Sequence, residues 1–171
     1  MHILGIDPGT RASGLVLFDM TDGHVKHADK AIDHDDLMCA FYNERLDVGG
    51  SPLAGGLALT WDQVVIECLS PAGQVIGHDT FDTIFWVGRM FEAAHGPKMP
   101  GVELLTRNEI KKRLLGRTNI PGADKHIRQV LVDQVGPKGT KREPGPTFGC
   151  SSHSWAALAA VWAYLHPDGV S

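Results

Sequence analysis

The hydrophobic pattern of the first thirty residues predicts three consecutive antiparallel strands. Residues 2–7 form a short apolar run, and Pro8-Gly9-Thr10 directly after it supplies turn chemistry. Residues 11–19 contain a β-prone Gly-Leu-Val-Leu-Phe run and are the expected hairpin partner. A third strand near residues 24–31 would complete a meander.

The middle of the chain is predicted to hold a helix, a flexible connection and a central strand. Asp33 or Asp35 can cap a helix that runs to about Leu46, and the glycine-rich residues 49–56 then form the connection. The next strand is predicted over residues 59–67. Its continuous run of Val, Val and Ile indicates burial on both faces, so we expect it to be central and parallel to the first strand.

The second half of the chain is mostly helical in its pattern. Aromatic and apolar residues at helical intervals predict a helix over residues 78–95, and such a stripe suits the core or a subunit interface. The other predicted elements are a loop over 70–77, a strand over 102–105, a basic helix over 107–115, a helix over 124–135, a surface loop over 136–149 and an apolar helix over about 152–165. The length of 171 residues suits one globular domain, 1–171.

Charge is distributed unevenly along the chain. The formal net charge is −4, but residues 98–142 contain 11 of the 16 Lys and Arg and only four of the 20 acids. That segment therefore carries a charge of +7. A locally basic surface on an acidic protein can bind phosphates while the whole remains soluble. A polyanionic partner is thus favoured, although any single lysine in the segment suits an ordinary solvated helix.

The cysteines and the hydropathy indicate where the protein works. Three widely spaced cysteines, Cys39, Cys68 and Cys150, argue against a disulfide framework and against a zinc module. No secretory signal and no run of about 18 apolar residues is present. We expect a soluble, cytoplasmic protein.

Two apolar strands end in an acid, and the last helix opens with a histidine. Asp7 follows the first strand and Glu67 ends the central one, so both carboxylates should emerge where ligands bind in open α/β sheets. Two close carboxylates are costly unless a cation lies between them, and oxygen ligands with one imidazole, that of His153, suit Mg²⁺ or Mn²⁺. This set predicts two-ion phosphodiester hydrolysis. Taken singly, Asp7 also suits a turn and His153 a helix N-terminus.

These motifs, in this order, resemble those of RuvC-type Holliday junction resolvases, in the ribonuclease H-like superfamily, and the compact spacing is most similar to phage members. The resemblance extends over most of the chain. It rests on Ile3-Leu4-Gly5-Ile6-Asp7-Pro8-Gly9-Thr10 with Gly14, on Val64-Val65-Ile66-Glu67, on Ala123-Asp124-Lys125 and on His153-Ser154-Trp155-Ala156-Ala157-Leu158-Ala159. It implies an α/β fold with a mixed five-stranded sheet and helices on both faces.

The resemblance also implies a function. Relatives act as homodimers that bind four-way DNA junctions and nick opposed strands symmetrically, with two Mg²⁺ or Mn²⁺ ions in each active site. It makes Asp7, Glu67 and His153 metal ligands and places Lys125 near the scissile phosphate. The implied DNA-binding residues are Arg11, Lys111, Lys112, Lys125 and Arg128. The implied dimer helix covers residues 78–95, with Phe81, Phe85 and Gly88 at the interface.

Two positions depart from the family pattern. The family has an Asp three residues after the position of His153, on the same helix face, whereas this chain has Ala156, which cannot bind a metal. The change is either engineered or natural, and it predicts impaired cleavage if the fourth ligand is essential. Some relatives also place an aromatic wedge after the second acid. This chain offers Leu69 there, which leaves its cleavage preference open.

Three other functions share part of this sequence pattern. A sugar-kinase or actin-like ATPase shares an Asp-x-Gly-Thr pattern on a first hairpin, but it needs a second domain that 171 residues do not provide. A catalytically silent junction-binding protein agrees with Ala156 and the basic segment. A related nuclease acting on flaps or other branched DNA is compatible with the same metal site. Cleavage of a synthetic junction separates the silent protein from the two nucleases.

Overall fold

A computed structural model describes residues 1–49, 56–69, 77–95 and 101–170. The strands are β1 (His2–Asp7), β2 (Ala12–Asp19), β3 (His24–Asp33), β4 (Leu46–Val48), β5 (Leu57–Leu59), β6 (Gln63–Cys68) and β7 (Val102–Thr106). The helices are α1 (His34–Tyr42), α2 (His78–Ala93), α3 (Arg107–Leu115), α4 (Ala123–Gln134) and α5 (His153–Leu165).

The main sheet has five strands in the order β3-β2-β1-β6-β7. The meander β1 to β3 is antiparallel, and β6 and β7 then run parallel to β1. The predicted mixed five-stranded sheet is therefore confirmed. Because β1, β6 and β7 are parallel neighbours, their carboxyl ends meet at one edge of the sheet.

Alternating side chains of the strands build a core on each face of this sheet. On one face, Ile3 of β1 and Val65 of β6 pack with α3, α4 and α5. On the other, Leu4 and Ile66 of the same strands pack with α1 and α2. The two-residue period of a strand explains this division, since consecutive residues point to opposite faces.

Helix α5 is the most deeply buried helix and lies very close to the sheet. Its stretch from Ala157 to Val161 is fully buried. A Cβ atom at Gly5 would lie 2.5 Å from the Ala157 carbonyl oxygen, and one at Gly14 would lie 2.5 Å from the His153 Cβ. These two glycines therefore let the helix approach β1 and β2, which fixes where its first residue sits.

Two predicted boundaries in the middle of the chain are wrong. Helix α1, capped by Asp33 as predicted, ends at Tyr42, and Leu46 belongs instead to β4. The strand predicted over residues 59–67 is two strands, because β5 pairs with β4 in a separate two-stranded sheet. Hydrophobicity alone did not separate them, because the apolar and buried Trp61 lies between the two strands.

The remaining predicted elements agree with the structure to within about two residues. The predicted connection at 49–56 and the loop at 70–77 fall mostly outside the described residues. Over the described part of the chain, no helix combines the length and apolar character needed to cross a membrane.

Candidate active site

Three parallel strands bring charged residues to one edge of the sheet. Asp7 ends β1. The residue before it, Ile6, pairs with Ile66 of the neighbouring strand β6, and Glu67 is the next residue along β6. In the next strand Leu105 pairs with Glu67, and Arg107 follows two residues later. The predicted adjacency of the strands of Asp7 and Glu67 is confirmed, and both side chains are mostly buried, with exposed fractions of 17% and 12%.

Arg107 is held at the start of α3 by a capping box. The Thr106 side chain accepts a hydrogen bond from the Glu109 amide, and the Glu109 carboxylate accepts one from the Thr106 amide. This reciprocal cap stops β7 and starts the helix at Arg107. From there the guanidinium donates to Glu67, with Nη1 3.3 Å from Oε2, and its Nη2 pairs with Asp124.

His153 reaches the site from the other side of β1. Its Nδ1 lies 3.0 Å from Asp7 Oδ2. The adjacent strand β2 aligns Gly14 with Asp7, and the missing side chain of Gly14 leaves room for the His153 backbone. Before the helix, Ser152 has a positive φ of 44° in a tight turn closed by a hydrogen bond from the Ser154 amide to the Ser151 carbonyl. This turn aims the first residue of α5 at Asp7.

The charged groups line a single open cavity of about 460 Å³. Helix α4 contributes one stripe of residues to the wall, at positions 124, 127 and 128, and α5 contributes its first turn. Among the described residues, the lining consists of Asp7, Glu67, Arg107, Asp124, Ile127, Arg128, Ser152, His153, Trp155 and Ala156. The three predicted metal ligands therefore share one cavity with Ala156, the position that departs from the family pattern.

Burial disfavours the charged form of both carboxylates. The pKa of Asp7 is raised, mainly because burial penalises its charged form, although His153 and Arg107 oppose this shift. Burial raises the pKa of Glu67 to about 7, against the opposing effect of Arg107. The nearby Asp7 also raises the pKa of Glu67. An additional cation at this edge of the sheet would relieve that cost.

These residues fit a divalent-metal site. Two buried carboxylates and an imidazole supply the oxygen and nitrogen donors that Mg²⁺ and Mn²⁺ accept. Within the described residues, the donor atoms of Asp7, Glu67 and His153 do not all fall within 4.8 Å of one another, unlike those of the exposed group His78, Asp79 and Asp82 on α2. These three donors therefore do not form a closed single-ion cluster in this structure.

Two solved structures share this fold over nearly the whole chain. The structure of Thermus thermophilus RuvC matches with a TM-score of 0.63 at 16% sequence identity, covering 98% of this chain and 95% of that chain. The chain has a RuvC-type fold. A structure of T. thermophilus RuvC in complex with a Holliday junction substrate matches with a TM-score of 0.61 at 16% identity, covering 98% and 94%. No protein-family model and no curated protein matches the sequence.

The RuvC-type fold confirms the ribonuclease H-like α/β architecture expected from the motifs. The structure also gives the positions of the residues that were predicted to bind DNA. Arg128 lines the cavity, and its guanidinium stacks 4.8 Å from the ring centre of Trp155. Lys111, one turn after Arg107 on α3, lies close enough to lower the Glu67 pKa. These two cations are therefore near the candidate metal centre.

The other predicted DNA-binding residues lie farther from the acids. Lys112 and Lys125 are exposed on α3 and α4, outside the lining of the cavity. Arg11 is exposed in the turn after β1 and lines a smaller depression with Asp33, His34 and Trp86. The roles of all five residues stay predictions.

Arg107, Asp124 and Ser152 were not predicted from the sequence as residues of the site. The position of Arg107 directly after a parallel strand is a signal that could have identified it, because ligands of open α/β sheets bind at the carboxyl ends of the strands. Asp124 carries a weaker signal, since an acid in the first turn of a helix is also favoured by the helix dipole. Only the position of α4 over the cavity distinguishes the two roles.

Proposed function

We propose that this chain is a structure-selective endonuclease that nicks four-way DNA junctions by metal-dependent phosphodiester hydrolysis. The observation that supports it most is the pair of buried carboxylates, Asp7 and Glu67, with His153 against Asp7, at the carboxyl edge of a RuvC-type sheet. A buried pair of acids with raised pKa values destabilises the fold unless the two carboxylates bind a cation.

Asp7, Glu67 and His153 are the proposed metal ligands. When bound, two Mg²⁺ or Mn²⁺ ions would activate water and stabilise the leaving oxygen of the cleaved phosphodiester. The protein orients these donors: the strand register fixes the two acids, and the contact between Gly14 and His153 fixes the imidazole. Burial of the acids keeps bulk water away from the charge that they present.

A basic surface beside the cavity is the proposed contact with the DNA backbone. Arg107 and Arg128 lie in the cavity wall, and Lys111 and Lys112 extend from the same helix as Arg107. Lys125 stands next to Asp124 at the start of α4, where it can approach the phosphate to be cut. Cations in this arrangement bind phosphates without regard to sequence, which suits recognition of a DNA shape.

A homodimer with two such sites would allow symmetric nicking. Helix α2 exposes Phe81, Ile84 and Phe85, with exposed fractions of 61%, 48% and 60%, and Gly88 lies on the same side of the helix. Its buried side instead uses residues such as Val87 and Met90. An exposed apolar face of this size in a helix is typical of a subunit interface.

A cleavage assay on a synthetic mobile four-way junction tests the function. The chain should nick opposed strands in Mg²⁺ or Mn²⁺ and be inactive in EDTA. Asp7→Asn should abolish nicking while junction binding stays within about twofold, because it removes a ligand and leaves the basic surface intact. Asp36→Asn, on α1, is the matched control and should cleave normally. Normal cleavage by Asp7→Asn would refute the proposed metal site.

Ala156 favours a second candidate, a junction-binding protein that does not cut. Helix α5 brings only one donor side chain, that of His153, to the part of the cavity where Ala156 also lies. Tight junction binding without nicking in either metal would establish this candidate. Flap and splayed-arm substrates in the same assay test for a nuclease with a broader choice of branched DNA.

A further inference from the structure

Asp124 lines the same cavity as the two buried acids but comes from a different part of the chain. It is the second residue of α4, and the stripe that it begins continues along the cavity wall with Ile127 and Arg128. Helix α5 lines the same cavity with His153 and Ala156, which lie on one side of its first turn. Ala156 has no donor atom. Among the described lining residues, the carboxylate of Asp124 is therefore the acidic group additional to Asp7 and Glu67.

Arg107 ties Asp124 to the buried acids. One terminal nitrogen of its guanidinium donates to Glu67, and the other pairs with Asp124. The two carboxylates thus face each other across a single planar cation. A positive charge between two carboxylates is also what a divalent ion provides, with shorter contacts and a higher charge.

We propose that Asp124 is the fourth protein ligand of the metal centre and takes the place of a donor at position 156. This inference rests on the proposed function, since it assigns a ligand to the same site. The Asp124 side chain is 84% exposed, so it lies at the cavity mouth and can turn toward an ion without strain in the core. Its exposed pairing with Arg107 adds little to stability, so removing the carboxylate should leave the fold intact.

Manganese binding provides a test that does not depend on cleavage. Free and bound Mn²⁺ would be measured by electron paramagnetic resonance on the wild-type chain, Asp124→Asn, Asp7→Asn and the control Asp133→Asn. Asp133 is an exposed acid on the same helix that pairs with Gln129. We expect Asp124→Asn to weaken Mn²⁺ binding at least about tenfold, as the loss of supporting groups alone often does. Asp133→Asn should bind like the wild type.

A rescue experiment separates a ligand from a residue that only holds Arg107. If Asp124 fills the role of a donor at 156, Ala156→Asp should restore Mn²⁺ binding to Asp124→Asn and add little to the wild type. Equal gains in both backgrounds would show independent sites and overturn the proposal, as would unchanged binding in Asp124→Asn.

The same titrations distinguish this inference from the function on which it rests. If Asp7→Asn loses Mn²⁺ but Asp124→Asn does not, the metal centre stands and only the role of Asp124 fails. If the wild type itself binds no Mn²⁺, the proposed metal-dependent function fails as well.

Discussion

At the carboxyl ends of β1 and β6 the sheet buries two carboxylates, whereas the outer face of α2 exposes three large apolar side chains. Both regions are costly for an isolated chain, but for opposite reasons. Asp7 and Glu67 lose hydration without gaining enough opposite charge, since Arg107 only partly offsets the cost of burial. Phe81 and Phe85 remain in water although packing would stabilise them.

The difference indicates two kinds of partner. Two buried carboxylates are stabilised by a bound cation, and that cation can in turn bind a phosphate. An exposed apolar face calls for another protein surface, and a second copy of the chain is the partner that the proposed symmetric nicking requires. The same sheet separates the two demands, because α2 packs on one face of it while α3, α4 and α5 pack on the other.

The largest expected effect is on the α2 face. Phe81→Glu combined with Phe85→Glu should weaken the dimer by about 1,000-fold or more, because two charges would be desolvated in place of two aromatic rings. Sedimentation equilibrium measures this directly. Tyr42→Glu is the matched control, since Tyr42 is 69% exposed on α1, outside the predicted interface. An unchanged dimer, or a wild-type monomer, would contradict an interface on α2.

The charge of Glu67 should make stability depend on pH in a known direction. Its folded pKa of about 7 lies above the ordinary value of 4.5. The contribution of Glu67 to the free energy of unfolding is therefore full below pH 4.5. It falls as the pH rises and is lost above pH 7. In EDTA, Glu67→Gln should be more stable than the wild type by about 3 kcal/mol at pH 8 and by much less at pH 5.

Urea unfolding at the two pH values checks this prediction for Glu67. Glu103→Gln on β7 is the control, because Glu103 is exposed and should show no such difference. Equal pH dependence in the wild type and Glu67→Gln would mean that the carboxylate is well solvated. Added Mn²⁺ should stabilise the wild type more than Glu67→Gln at pH 8.

Gly14→Ala should disturb the site through packing. The new Cβ would meet the His153 Cβ at 2.5 Å and the His153 backbone carbon at 2.6 Å, and neither can move without shifting the buried helix α5. We expect a loss of about 1–3 kcal/mol in unfolding free energy, together with reduced nicking. Thermal and urea unfolding provide the measurement. Unchanged stability would show that α5 is not held by this contact.

The same substitution at Gly88 should increase the free energy of unfolding instead of lowering it. Among the described residues, and apart from the adjoining backbone of the helix itself, no atom lies within 4 Å of a Cβ built at Gly88. The residue sits inside α2, where alanine favours the helix by roughly 0.5–1 kcal/mol. Gly88→Ala in the Phe81→Glu, Phe85→Glu background should therefore stabilise the monomer. In the wild-type background it should weaken the dimer several-fold if Gly88 allows close helix contact. A dimer of unchanged affinity would exclude Gly88 from the interface.

Much of the fold could be predicted because its signals are local. Strands β1 and β6 each contain a short apolar run that is followed directly by an acid, and α3 begins with a capping box that is visible in the sequence. The predictions were weakest where short strands follow one another. Hydrophobicity did not divide residues 57–68 into β5 and β6, because the division depends on pairing with β4 rather than on composition.

The site was predicted only in part, for a related reason. Strand endings identified Asp7 and Glu67, and the last helix identified His153. Arg107 and Asp124 were missed because they lie 17 residues apart in the chain. Their pairing depends on how α3 and α4 pack over the sheet edge. The aromatic stripe of α2 was compatible with either the core or an interface, and its exposure favours the interface.

The sequence by itself determined which residues end the strands and which helix faces are apolar, since these properties follow from the two- and 3.6-residue periods of the backbone. Only the tertiary structure decided what surrounds each group. Strand order brought the carboxylates side by side, burial raised their pKa values, and the packing of α4 placed a further acid across Arg107. Desolvation and charge coupling depend on neighbours that are distant in the chain, so no local pattern encodes them.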